Sequence, residues 1–410
     1  MKSVRKVLLA SALAGTMFAG TQAQALTFTL TDTGGTAVGT QARQGFEIAA
    51  AYWASVFSDN VNINLNIGFQ SLGAGILGST GSTRSLLSMN QGYTALAADA
   101  SSTLDAAAVA SLRPLGTSTS VPGAGAVTAI ANIINGTNNG YLDSGTRIDN
   151  DGSVNNSTLA VTKASAKALG LTTDVNGTAI NYASSDGNIT FSTNFTFDFD
   201  PTDGISSNAF DFIGVAIHEI GHALGFVSGV DSFDARTGPG GPQATAGLLE
   251  GFVVMSQLDL FRYSSAGNLD WSTSDAAKYF SIDGGASQLF GDSRFSLGSF
   301  NGDGRQASHW KDSLSGVPQL GILDPTSGLG QEQEVTALDL SAYDAIGYNV
   351  RLNTLLNSGY RLKTSDIYRM FAGAGAVPEP ASWAMMISGF GLIGGAMRRS
   401  NLRKPALSAA

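Results

Sequence analysis

His218 and His222 stand four positions apart with Glu219 between them in the run His-Glu-Ile-Gly-His, and they are two of only three histidines in the chain. In a helix of 3.6 residues per turn they lie one turn apart on the same face, so two imidazole nitrogens can converge on one tetrahedral metal ion such as Zn²⁺. Glu219 is turned away by about a quarter of a circle. A carboxylate so offset suits proton exchange with a water on the metal better than ligation. The plainer reading is a chance match on an amphipathic helix, with one histidine satisfied in the core. The apolar run before the motif and Gly225-Phe226 after it fit a buried metal-bearing helix better.

Such a site needs a helix over 210–226 and elements that hold it. Gly225 falls where a helix ending calls for a residue with positive φ. Upstream, Ile189, Phe191, Phe195, Phe197 and Phe199 alternate with polar residues, as in one long strand, or a hairpin if 192–194 turns. Asp200-Pro201-Thr202-Asp203-Gly204 then breaks the pattern. A strand in this place could bind an extended peptide by strand addition, or it could be an ordinary sheet strand. Earlier in the chain, 26–30 is a strand candidate, and 40–57 puts Phe46, Trp53 and Phe57 on a helical stripe. Val61, Ile63, Leu65, Ile67 and Phe69 alternate as in a strand with one buried face. Residues 71–140, rich in Ala, Gly, Ser and Thr, read as an insertion with short helices. A short strand over 157–162 and a helical 164–169 follow.

Charged residues make up 13% of the chain and glycines number 51, which points to many turns and loops. The formal charge is −9; taking away seven basic residues near the ends (Lys2, Arg5, Lys6, Arg398, Arg399, Arg403, Lys404) and the acidic Glu379 leaves −15 for the body. Such a body is repelled by nucleic acid and anionic lipid, so neither is an expected partner. With no cysteine, thiolate ligands and a cysteine latch on the metal are excluded. Calcium is the other conceivable cation, at Asp149-Asn150-Asp151-Gly152. That run lacks the later acidic ligand of a calcium loop, and a tight turn is the better reading.

The run His218-Glu219-Ile220-Gly221-His222-Ala223-Leu224-Gly225-Phe226 resembles the active-site helix of the metzincin metalloproteases. In the common metzincin pattern a third histidine comes three residues after the glycine, where this chain has Ser228. The remaining histidine lies in Ser308-His309-Trp310-Lys311, ahead of a tight turn at Gly321-Ile322-Leu323-Asp324 and a helical segment from Leu338 to Tyr348. That layout is similar to leishmanolysin-like metzincins, and the resemblance implies His309 as third ligand. The alternatives are a carboxylate such as Glu250 as ligand, or His309 as an exposed, unrelated histidine. Metzincins carry a methionine in the turn below the metal; here Ile322 or Leu323 would take its place. Tyr343 or Tyr348 would be the tyrosine nearest the site. The resemblance covers about 188–350. It implies an α+β, zincin/metzincin-like fold with an N-terminal twisted mixed sheet and active-site helix (26–226) and an irregular, mainly helical C-terminal subdomain (227–350). Its implied activity is zinc-dependent endopeptidase action on protein or peptide, with Glu219 as general base.

Both ends read as export signals. Residues 1–25 have a basic start, an apolar stretch and Ala23-Gln24-Ala25 as a cleavage site, the pattern of a signal peptide. After an expected linker at 351–376, residues 377–399 resemble the PEP-CTERM sorting signal of Gram-negative bacteria: Val377-Pro378-Glu379-Pro380, an apolar stretch and Arg398-Arg399, followed by a basic tail at 400–410. The apolar stretch 381–397 would make a helix of roughly 25 Å, near the lower limit for a membrane span. An ordinary C-terminal anchor is the other reading. The resemblance implies an exosortase-type processing enzyme as partner, membrane contact before processing, and a final place at the cell surface or outside the cell. Set against a secreted endopeptidase are a non-catalytic metal-binding surface or matrix protein and a zinc hydrolase of a non-peptide bond. Glu219 speaks for catalysis, since a structural site has no use for it.

Overall fold

The computed structural model describes residues 26–134, 141–242, 249, 254–313 and 317–373. The expected signal peptide, the sorting segment, the basic tail and Glu250 lie outside the described residues. The fold is mixed α+β. Strand β1 (Thr27–Asp32) leads through helix α1 (Gln41–Val56) to β2 (Asn62–Gln70), then β3 (Gly78–Ser82), β4 (Arg84–Ser88), α2 (Met89–Asp99) and α3 (Thr103–Ser111). A hairpin of β5 (Ala129–Ile134) and β6 (Tyr141–Asp149) follows, then α4 (Val154–Ser157), β7 (Thr158–Thr162), α5 (Lys163–Ala168) and β8 (Gly187–Ser192). Short β9 (Phe197–Asp198) and β10 (Phe210–Asp211) introduce α6 (Phe212–Leu224), and α7 (Val230–Thr237) comes next. Beyond it lie β11 (Arg262–Ser265), β12 (Asn268–Leu269), β13 (Tyr279–Phe280), β14 (Glu334–Thr336), α8 (Ala337–Ala345), β15 (Arg361–Lys363) and α9 (Thr364–Phe371).

The central sheet has the order β1-β2-β8-β3, parallel except for β3, which runs antiparallel to β8 and forms an edge. Alternation along β2 puts Ile63, Leu65 and Ile67 inside, while Asn62 stays exposed and Asn66 donates to Asn188 at 2.7 Å on the outer face. Helices α1 and α6 pack together over the inner face. Gly45 of α1 permits this, since a Cβ there would meet the Phe212 ring at 2.4 Å. Trp53 is fully buried and donates its indole N–H to the Ile217 carbonyl at 3.1 Å. Rings of Phe46, Phe191 and Phe212 meet edge-on or tilted at 4.7–5.4 Å between centroids.

Four expectations need correction. The segment 71–140 is not simply an insertion, because it supplies β3, an integral strand of the central sheet. Its Gly-Ser-Thr-Gly-Ser sequence carries no hydrophobic alternation, which is why it does not read as a strand. The phenylalanine alternation after residue 187 is neither one long strand nor a hairpin: β8 ends at Ser192, the chain turns, and β9 pairs in parallel with β10. Strand β8 is therefore interior and cannot accept an added strand. Among its described residues the C-terminal part is mostly loop, with a small antiparallel sheet β12-β11-β13, and is not mainly helical. Finally, the expected linker belongs to the folded body through Phe371: β15 pairs with β14, and Ile367 of α9 is fully buried.

Candidate metal centre

Helix α6 is set at both ends. Asp211 caps its start, with Oδ1 accepting from the Gly214 amide at 3.0 Å, and Thr364 donates to Asp211 Oδ2 at 2.5 Å. Asp211 is fully buried, and burial pushes its carboxyl up to about 6. At the other end Gly225 has φ 132°, which swings the chain so that the Phe226 carbonyl returns to 2.6 Å from His222 Nδ1.

The other two histidines are oriented in the same manner. His218 Nδ1 lies 2.8 Å from the Ile322 carbonyl, and His309 Nδ1 lies 3.3 Å from that of Gln306. A carbonyl can only accept, so each Nδ1 carries the proton and each Nε2 presents a lone pair. The three Nε2 atoms are mutually 3.0, 3.2 and 3.2 Å apart. No hydrogen bond can join three acceptors. A cation at their centre removes that repulsion, and these residues form a group able to hold a metal ion. Burial lowers His218 to about 4 and, with His218 as neighbour, His222 to about 3; His309 falls well below its ordinary value for the same reasons. All three rings are therefore neutral near pH 7, the form a metal requires.

Glu219 is 5% exposed, and its Oε2 lies 2.7 Å from the Thr80 hydroxyl of β3. Burial pushes its carboxyl up to about 7, partly offset by that hydrogen bond. Its room comes from Gly78, where a Cβ would stand 2.6 Å from Glu219 Oε1. Below the helix, Leu323 of the Ile322-Leu323 turn packs against Gly221. A Cβ on Gly221 would meet both Leu323 methyls at 3.4 Å, while Ile322 supplies the carbonyl that orients His218. Buried Asp339 secures this turn, accepting from the Ile322 amide at 3.0 Å and the Trp310 indole at 2.8 Å. Gly321 is obligatory there, since a Cβ would come within 2.3 Å of the Asp339 carboxylate.

Comparison with known proteins bears on the end of the chain. Residues 376–403 match the PEP-CTERM protein-sorting motif. The chain carries a PEP-CTERM sorting signal. The match contains the expected 377–399 and reaches into the basic tail. A PEP-CTERM signal implies export, processing by an exosortase-type enzyme, and a surface or extracellular location in a Gram-negative bacterium. No curated protein and no solved structure matches the chain. Among the described residues no helix is long and apolar enough to cross a membrane; the apolar stretch 381–397 inside the PEP-CTERM segment lies outside them.

Sequence reasoning named His218, Glu219, His222 and His309, and the structure brings these four together. It missed Thr80 and Gly78, which lie in a stretch with no motif of its own, and Asp339, whose helical segment is expected but whose role nothing in the sequence signals. Of the two tyrosines named from the sequence, Tyr343 comes against the motif itself, its hydroxyl 2.5 Å from where a Cβ on Gly221 would stand. Both are fully buried beneath α6, and Tyr348 donates to the Leu224 carbonyl at 2.7 Å. At Asp149–Gly152 the chain turns with Gly152 at φ 72°, and Asp149 Oδ2 is taken up by Arg147 and Asn155, each at 3.0 Å.

Proposed function

We propose that this protein is an exported zinc-dependent endopeptidase. What carries the reading is the convergence of three neutral imidazole nitrogens beside a buried glutamate that ligates nothing. Tetrahedral zinc with nitrogen ligands needs those nitrogens roughly 3.3 Å apart, and the observed 3.0–3.2 Å fits that ion closely. Among the described residues the group contains three ligand side chains and no fourth, which suits a catalytic site with an open position.

Zinc bound here would polarise a scissile carbonyl and make water acidic near neutral pH. Glu219 takes the proton from the attacking water and hands it to the departing amine. Thr80 keeps that carboxylate pointed and favours its ionised form. His218, His222 and His309 hold their Nε2 lone pairs in place through the Nδ1 contacts to backbone carbonyls. An extended peptide would lie along the outer edge of β3, which is beside Glu219 and has no strand partner among the described residues.

The test is Glu219→Gln, assayed on casein or gelatin with zinc content measured in parallel. The variant is expected to bind zinc as the parent does and to lose hydrolysis. Unchanged hydrolysis would show that Glu219 is not the base; zinc binding with no hydrolysis by the parent on any peptide library would favour the non-catalytic surface protein.

A further inference from the structure

We propose that Asp231 is a positioning residue for His309, through a lock that joins the chain just after α6 to the segment carrying the distant histidine. The inference rests on the three-histidine metal centre. Asp231 lies in the first turn of α7. Its Oδ1 accepts from the Ala307 amide at 2.6 Å, and its Oδ2 accepts from the Ser308 amide at 3.0 Å and from the Ser308 hydroxyl. Ser308 Oγ in turn accepts from the Ser228 amide at 2.8 Å. Residues 307 and 308 are thus gripped from both sides immediately before His309.

The corner that presents Asp231 is itself rigid. Asp259 accepts from the Ser228 hydroxyl at 2.5 Å and from the Gly229 amide at 2.8 Å. Gly229 lies so close to the backbone of residues 254–255 that a Cβ would come within 2.4 Å of the Val254 carbonyl. Ser228 is the position where the metzincin pattern keeps its third histidine. In this chain the same position seats the segment that brings the third histidine from elsewhere. His309 needs such help, because its Nδ1 contact of 3.3 Å is the longest of the three that orient the rings. The ring is placed chiefly by where its backbone is held.

The experiment measures Co²⁺ affinity of the apo-protein in a double-mutant cycle, with ligand-field absorption reporting nitrogen coordination. Asp231→Ala and Asp231→Asn, which turns an amide N–H toward the Ser308 donors, are each made in the parent and in His309→Ala; Ser308→Ala serves as a milder third variant. In the parent, Asp231→Ala is expected to weaken Co²⁺ binding about 10–100-fold and to shift the ligand-field bands. In His309→Ala the same change is expected to alter affinity less than about two-fold, because no third ligand is left to position. Equal losses in both backgrounds, or none in either, overturn the role of Asp231. Failure of the parent to bind Co²⁺ through nitrogen overturns the metal centre itself and this inference with it. Should Asp231→Ala not fold, Asp231→Asn and Ser308→Ala decide between the same outcomes.

Discussion

The chemistry proposed for this protein depends on where a few protons sit. Each histidine gives its Nδ1–H to a backbone carbonyl, so the Nε2 face is basic and turned inward. Glu219 is poised differently: burial makes its carboxyl hold a proton more tightly, and the Thr80 hydroxyl works against that. Thr80→Val should therefore raise the Glu219 pKa further. In the proposed hydrolysis the ionised carboxylate is the active form, so the acid limb of the kcat/KM profile should move to higher pH. An unmoved limb would mean that Thr80 does not tune the base. The histidines and Glu219 were legible in the sequence because their spacing is itself the signal. Thr80 and Asp231 were not, since a lone threonine or aspartate acquires its role only when folding brings it across more than a hundred or several tens of positions to its partner.

Two elements, β3 and the end of α6, carry most of the site geometry. β3 is a glycine- and serine-rich strand whose small residues let Glu219 lie against it. Gly78→Ala would push the carboxylate aside, and we expect a loss of about 10²-fold in kcat, from a displacement near 1 Å, with zinc retained. Equal activity in the variant would place Glu219 elsewhere. Gly225→Ala meets both a positive φ and the Ile346 methyl at 3.0 Å. It should cost about 1–3 kcal/mol in thermal or denaturant unfolding and weaken metal binding by freeing the Phe226 carbonyl. Helices α1 and α6 and strand β2 could be read from hydrophobic periodicity. β3 could not, because it is an only partly covered edge strand, lying against helix α6 without apolar side chains of its own. The role of 351–373 was hidden for a related reason: β15 and α9 are short and make sense only against β14, α1 and the cap of α6.

At the scale of the whole molecule, a strongly acidic body is exported by a chain that ends in a PEP-CTERM signal. Some of its carboxylates crowd together where α3 meets the end of α8. Burial, then the neighbouring Asp105, raises Asp344 to about 7, and burial, then Asp59 and Asp105, raises Asp99 to about 6. A carboxyl whose pKa is higher in the folded state binds its proton more tightly there. Its contribution to stability is fullest below the unfolded value and is lost as pH rises through about 7 for Asp344. The three histidines, with folded pKa values depressed, act in the opposite sense and destabilise as pH falls below about 6.5. Asp344→Asn isolates the first effect. It keeps an acceptor for the Ser102 hydroxyl at 2.8 Å and should melt above the parent at pH 7.5, with the gap closing toward pH 5. A gap independent of pH would contradict this. The central claim, that His309 completes a metal site with His218 and His222, is tested most directly by zinc stoichiometry after equilibrium dialysis of the parent and His309→Ala at limiting free zinc. One zinc per parent chain and a large loss in the variant are expected. Equal zinc in both would contradict the account.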